Sequence, residues 1–244
     1  MENKVISQQI QILINQFKVK NFQYVLTKGK ILLKKNPEYV ILYNLIGSSN
    51  QNIGDYKNAK DYFKKGLKLE PNNVALMNNL AMTYKNLLDY KLAEELYVKI
   101  INTNNKYVNA YVNLGNLKRD LNKFDEAIKL YEKALLIDDK NPIIYYSLAL
   151  AHQGIGNFAE SITYSKKTLE LDPNYEKAKD NLELLFKEKK ILKLLKDNNF
   201  KNKNKVKLVN NPYIEIRKVE KNLISSLYKI QSTELKKTEG GPLF

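Results

Sequence analysis

Residues 40–73 read VILYNLIGSSNQNIGDYKNAKDYFKKGLKLEPNN, and this 34-residue pattern returns at 74–107, 108–141 and 142–175 without insertion or deletion. A period between about 20 and 50 residues is typical of solenoids, in which each repeat buries its apolar face against its neighbours. The recurring turn aromatic and the small residue three positions after it are Tyr56 with Ala59, Tyr90 with Ala93, Phe124 with Ala127, and Phe158 with Ser161.

Each block contains two stretches with the apolar spacing of a helix. In the first stretch a large residue is followed three positions later by an aliphatic one, and then at once by a small one. A small side chain lets the two helices of a hairpin approach closely, since a Cβ branch there would meet the partner's backbone. The pattern therefore predicts an all-α solenoid. The small residues are Gly47, Ala81, Gly115 and Ala149.

The flanks fit the same frame less completely. Residues 6–39 have the spacing of a degenerate first repeat, as expected where one side faces water. From Glu176 a single helix continues the apolar pattern and then becomes rich in lysine. We predict a degenerate N-terminal repeat at 1–39, four repeats at 40–73, 74–107, 108–141 and 142–175, a capping helix at 176–196, and a basic linker and tail at 197–244.

The order of aromatic, Leu, Gly or Ala, then Tyr or Phe, Ala, a second aromatic and Pro resembles the tetratricopeptide repeat. The resemblance covers residues 40–175 fully and 6–39 partly. It implies a right-handed superhelix of antiparallel helix pairs, whose first helices line a concave groove. Local departures are Ser165 and Thr168 in the last block, and Lys118 where its neighbour has Tyr84.

Composition excludes several classes of function. The 244 residues include no cysteine and one histidine, so disulfides, thiolate chemistry and most metal or histidine-based sites are excluded. His152 falls at a packing position and is expected to be a satisfied core or groove histidine. Paired acids such as Glu94 with Glu95 and Asp125 with Glu126 are expected on solvated faces. We find no catalytic motif, apolar membrane span or signal peptide, and expect a cytoplasmic, non-enzymatic protein without cofactors.

The formal net charge is +15, with a sequence pI of about 9.5. Residues 197–244 contain ten basic and five acidic residues, which leaves most of the excess on the array. We expect this charge to be spread out, as an AT-rich coding bias would produce. Nucleic-acid binding needs a clustered basic face and is therefore not expected.

The concave face is where function is expected, because the recurring residues are needed for packing. The sixth position of successive blocks holds Leu45, Asn79, Asn113, Ser147 and Asn181, close to a ladder of asparagines. A side-chain amide can pair with both the N–H and the C=O of a peptide unit, so a ladder grips backbone without reading sequence. The general abundance of asparagine in this chain is the alternative explanation.

The array of O-linked N-acetylglucosamine transferase is similar and holds an extended polypeptide with such a ladder. The resemblance implies the same role here, with a polar, mildly basic groove that suits an acidic or neutral protein segment. The predicted peptide-binding residues are Asn79, Asn113, Asn181, Asn44, Asn78, Lys85, Asn116 and Arg119.

Two functions remain open from the sequence. The first is a protein-interaction scaffold that binds an extended polypeptide in its groove. The second is the substrate-recruiting region of a larger bacterial enzyme, such as a sulfotransferase, a glycosyltransferase or a hydroxylase dependent on iron and 2-oxoglutarate. The oligomeric state is not predicted.

Overall fold

The structure, a computed structural model, describes residues 2–197, and side chains from 5 to 187. The predicted tail from residue 198 onward lies outside this part. All regular structure in the described residues is helical. The helices are α1 (Glu2–Lys18), α2 (Phe22–Lys35), α3 (Val40–Asn52), α4 (Tyr56–Leu69), α5 (Val74–Asn86), α6 (Tyr90–Thr103), α7 (Val108–Asp120), α8 (Phe124–Leu135), α9 (Pro142–Gly154), α10 (Phe158–Leu171) and α11 (Glu176–Asp197).

Odd-numbered helices are the first, or A, helices of each pair, and even-numbered helices are the second, or B, helices. Each helix packs on the next one along the chain through α11. From α1 to α9 each A helix also contacts the following A helix, whereas successive B helices within residues 2–197 have no comparable contact. The A helices therefore line the inner side of the array and the B helices the outer side. The predicted all-α solenoid is confirmed.

The turn inside each hairpin requires one residue with a left-handed backbone. Gly54 and Gly156 adopt φ of 82° and 79° there, and glycine does so without steric cost. The same position is held by Leu88 and Asn122, with φ of 64° and 59°. A leucine in this conformation costs roughly 1 to 2 kcal/mol, so the packing of the two helices enforces the turn where the residue disfavours it.

The glycine at the small position of α3 and of α7 faces the second aromatic of its own B helix. A Cβ built on Gly47 would lie 2.5 Å from Phe63, and one on Gly115 would lie 2.4 Å from Tyr131. The expectation that the small residue avoids the partner's backbone is thus wrong in detail, because the atoms it avoids belong to an aromatic ring. These rings are fully buried and form the centre of each repeat.

The capping helix predicted at 176–196 is the single helix α11, which also occupies the A-helix position after the fourth repeat. Ala178 and Leu185 are buried, and α11 packs on α10. It therefore covers the last apolar face of the array.

Two buried tyrosines at equivalent positions give a matched test of this core. The Tyr131 hydroxyl donates to Asn116 Oδ1 at 2.9 Å, whereas the Tyr97 hydroxyl is buried without a partner in the described residues. Met82 stands at the position equivalent to Asn116 and offers no amide oxygen. Tyr131→Phe should cost about 0.5–1.5 kcal/mol of unfolding free energy, while Tyr97→Phe should be neutral or stabilising. Urea unfolding of both variants checks this, and equal losses would contradict it.

Candidate functional site

Two side-chain hydrogen bonds join successive A helices on the inner side of the array. Asn79 Nδ2, on α5, donates to Asn44 Oδ1 on α3 at 2.8 Å, with a longer contact of 3.4 Å to Ser48 Oγ. One repeat later, Asn113 Nδ2 on α7 donates to Asn78 Oδ1 on α5 at 2.9 Å. The asparagine at the sixth position of one repeat is therefore held by the fifth position of the repeat before it.

These bonds fix the two amides and leave their oxygens open. Asn79 and Asn113 are half-buried, and their Oδ1 atoms accept no hydrogen bond from the described residues. Neither oxygen is among the buried polar atoms without a partner, so solvent reaches both. The arrangement presents two acceptors, one per repeat, on side chains that are already oriented.

The ladder does not extend to Asn181. Its side chain is 7% exposed, and its Nδ2 donates to Ser165 Oγ at 3.1 Å in the contact between α11 and α10. Ser165 replaces the buried aromatic of the other repeats, and Asn181 supplies its polar partner. Ser147, the sixth-position residue of the preceding repeat, is buried and donates to the carbonyl of Ile143.

Two other predicted residues have mainly structural contacts. Asn78 is 6% exposed; its Oδ1 accepts from Asn113 and its Nδ2 lies 3.7 Å from the sulfur of Met82. Asn116 Oδ1 accepts from the buried Tyr131 hydroxyl. These amides hold neighbouring side chains in place, and Asn44 does the same for Asn79.

The two predicted basic residues share one carboxylate. Lys85 Nζ lies 2.6 Å from Asp120 Oδ2, and Arg119 Nη2 lies 3.5 Å from Asp120 Oδ1. All three side chains are partly exposed, so each pair contributes little to stability. The carboxylate offsets one of the two positive charges, which makes this part of the inner face polar and weakly basic.

Lys118 is the main feature that the sequence interpretation missed. It is 7% exposed, and its Nζ lies 2.7 Å from Glu94 Oε1 and 2.9 Å from Glu126 Oε2. Burial alone would lower the pKa of Lys118, but the two carboxylates outweigh it and raise that pKa. The hydrogen bond from Lys118 is the main cause that lowers the pKa of Glu126. The two glutamates thus link α6 and α8 through α7.

His152 stacks on Tyr164, with ring centroids 5.3 Å apart. Its Nδ1 is buried without a hydrogen-bond partner in the described residues, so the expectation of a fully satisfied histidine is wrong for this atom. Burial lowers the pKa of His152, opposed by Glu160 and Glu132. Within residues 2–197, no cluster of three His, Cys, Asp or Glu could hold a metal ion, and no helix is long and apolar enough to cross a bilayer.

Comparison with known protein families gives matches along most of the array. Models described as "Tetratricopeptide repeat" match residues 40–73, 62–95 and 143–175, and one described as "TPR repeat" matches residues 115–156. Each of the four predicted blocks is matched over more than half of its length. No significant match is found among curated proteins.

Several solved structures share the fold. TTC0263, a thermophilic TPR protein of Thermus thermophilus, is 17% identical, with a TM-score of 0.67 over 74% of this chain and 98% of that one. A MamA structure is 24% identical, with a TM-score of 0.56 over 72% and 96%. YrrB, described as a TPR protein with an unusual peptide-binding site, is 19% identical, with a TM-score of 0.53 over 72% and 94%. At these identities the likeness shows the fold.

Proposed function

Because the chain belongs to the tetratricopeptide repeat family, we propose that it is a non-catalytic scaffold that holds an extended polypeptide along its A helices. The fold supports a protein-interaction scaffold in general, and similar architecture in YrrB accompanies a peptide-binding site. The choice of ligand and binding face rests on the residues of this chain.

The observation that carries the proposal is the pair of oriented amides, Asn79 and Asn113. Each donates along the array to the preceding repeat and keeps a solvent-accessible Oδ1. An amide oxygen accepts from a backbone N–H. Because the side chains are held before the ligand arrives, less conformational entropy is lost on binding. Two such acceptors on successive A helices suit a ligand that presents regularly spaced N–H groups, as an extended polypeptide does.

The partner is recognised through its backbone more than through its charge. Lys85 and Arg119 face one carboxylate, Asp120, so this part of the groove retains a single excess positive charge. A neutral or slightly acidic segment is compatible with it. Specificity then comes from side-chain contacts on either side of the amides.

The test begins with peptides selected by display against the full-length chain, followed by synthesis with single backbone N-methyl groups. An N-methyl group removes one N–H donor and leaves the side chains unchanged. We expect a strong loss of affinity at two positions of the peptide and little effect at most others. Uniform tolerance of N-methylation would overturn backbone recognition by these amides.

Asn79→Ala should weaken binding of a selected peptide by about threefold to tenfold, which corresponds to one hydrogen bond of about 0.5–1.5 kcal/mol. Isothermal titration calorimetry measures this. The matched control is Asn102→Ala, an exposed asparagine on the outer helix α6, which should leave affinity unchanged.

Asn113→Ala should weaken binding similarly but also cost stability. It leaves the buried Asn78 oxygen without its donor, whereas loss of Asn79 leaves only the half-exposed Asn44. Thermal unfolding of the two variants separates the effects. Normal binding by a folded Asn79→Ala variant would contradict the proposed role.

A further inference from the structure

The positive charge of the array is concentrated on the outer faces of two helices. Helix α2 carries four lysines and no acidic residue, and α4 carries five lysines and one aspartate. Helices α6 and α10 each carry two lysines and two glutamates, and α8 carries two lysines and three acidic residues. The expectation that the charge is spread out is therefore wrong for the outer side of the array.

The lysines occupy the side of each helix that faces away from the core. At about 100° per residue, the lysines of α2 lie with Thr27 and Ile31 on one arc of roughly 160°, opposite the buried Val25, Leu26, Gly29 and Leu32. We define the basic surface as the exposed lysines of both helices. They are Lys28, Lys30, Lys34, Lys35, Lys57, Lys64, Lys65 and Lys68.

Lysines of the two helices lie near each other at the start of α4. Lys30 on α2 and Lys57 on α4 both help to lower the pKa of the Asp55 carboxyl at the start of α4, after the dominant hydrogen bonds from Asn58. None of the eight lysines forms an ion pair within the described residues. Lys64 and Lys65 lie over the rings of Tyr84 and Tyr62 and still remain exposed.

We propose that the basic surface of α2 and α4 binds the anionic surface of a lipid bilayer, on the side of the array opposite the groove. Charge complementarity selects an anionic partner, since eight exposed cations face a single exposed acid on these two helices, Asp61. Lysine near an anionic leaflet contributes through its charge and needs no fixed geometry.

Three features favour a bilayer over nucleic acid. All the cations are lysine, whereas paired phosphate contacts are typically made by the fork of arginine. One partly exposed ring that could stack with a base, Tyr62, is covered by Lys65. Ile31 and Leu69 are 53% and 48% exposed on these helices, and aliphatic side chains among lysines suit a headgroup region with acyl chains beneath it.

The experiment is vesicle co-sedimentation with the full-length chain. Vesicles of phosphatidylcholine are compared with vesicles containing about 30% phosphatidylserine at about 0.1 M salt, where screening is moderate. We expect binding to the anionic vesicles only, and a steep loss as salt rises. No binding to anionic vesicles would overturn the proposal.

The test variant is Lys30→Gln, Lys34→Gln, Lys57→Gln and Lys68→Gln together. Its matched control removes four exposed lysines from α6, α8 and α10: Lys99→Gln, Lys129→Gln, Lys133→Gln and Lys166→Gln. Each lysine at an anionic surface contributes about fivefold, so the first variant should lose at least about fiftyfold in partitioning and the control less than about threefold. Equal losses would show that only net charge matters and would overturn the assignment to this surface.

Ile31→Ser distinguishes the bilayer from other polyanions. Vesicle binding should fall by about threefold or more, because apolar burial is lost. Binding to a fluorescent DNA duplex should be weak in the parent chain and unchanged by this substitution. Tight DNA binding that depends on the same lysines, without vesicle binding, would replace the bilayer by nucleic acid as the partner.

Discussion

Replacing both Glu94 and Glu126 by glutamine is expected to destabilise the array markedly, although each substitution preserves the shape of the side chain. The two carboxylates lie 2.7 and 2.9 Å from the Lys118 ammonium. The side chain of Lys118 is only 9% exposed, so its charge cannot be hydrated well without them. Without them the Lys118 ammonium has no opposite charge within ion-pair distance in the described residues, so the free energy of unfolding should fall. Chemical unfolding measures this.

Adding Lys118→Met to the same variant should recover most of the lost stability, since methionine has a similar shape and carries no charge. The matched control is Glu95→Gln with Glu132→Gln, which changes exposed acids on the same two helices, α6 and α8, that form no ion pair in the described residues. The control should be nearly neutral. An unchanged double variant, or no recovery with methionine, would contradict the role of Lys118.

The same cluster should give the array an acid-sensitive component of stability. The pKa of Glu126 is lowered below its ordinary 4.5 in the folded state, so the unfolded chain binds this proton first. The contribution is therefore present above pH 4.5 and is lost as pH falls through the lower, folded pKa. Lys118→Met should flatten that part of the stability profile.

The fold could be predicted from the sequence because the packing residues recur every 34 positions, so similar residue types align when the blocks are superimposed. Gly47 contacts Phe63 and Gly115 contacts Tyr131, so each of these pairs lies within one block of the repeat. The aligned positions do not show which atoms are in contact: Gly47 and Gly115 make room for aromatic rings rather than for backbone. Such detail depends on side-chain direction, which periodicity does not encode.

The site was only partly predictable for a related reason. Reading the sixth position of each block grouped Asn79, Asn113 and Asn181, but the hydrogen bonds run from the sixth position of one repeat to the fifth position of the one before. Asn181 left the group because its neighbour Ser165 is small and polar. Aligning the blocks assumes that all repeats are equivalent, whereas the hydrogen bonds of each side chain depend on the residues of the adjacent repeat.

Two features of the charge distribution could not be predicted from aligned positions either. The sequence predicts Glu94 and Glu126 to be solvated acids, because their partner, Lys118, stands at a position that is aromatic in the repeat before it. The total charge of the array does not indicate the basic surface, because it averages α2 and α4 with three nearly neutral outer helices. Counting charge separately on the exposed face of each helix would have found it.

Tyr131→Ala is expected to cost about 3–5 kcal/mol of unfolding free energy, the usual cost of removing a buried aromatic side chain. The ring is fully buried, and its hydroxyl is held by Asn116. Gly115→Ala alone should cost about 1–3 kcal/mol by overpacking, because its Cβ would lie 2.4 Å from the ring. Unfolding in urea, followed by circular dichroism, measures both variants.

Combining Gly115→Ala with Tyr131→Ser tests whether the two positions act as one unit. The fourth repeat already contains this pair as Ala149 and Ser165, both buried, so the geometry of the hairpin accommodates it. Once the ring is gone, the new methyl group occupies part of the space it leaves and no longer clashes. The double variant should therefore lose less stability, by at least about 1 kcal/mol, than the sum of the losses measured for Gly115→Ala and Tyr131→Ser singly, a coupling typical of residues in contact. Additive losses would mean that the small residue and the aromatic are selected independently, and that the 34-residue repeat is set by helix spacing rather than by this contact.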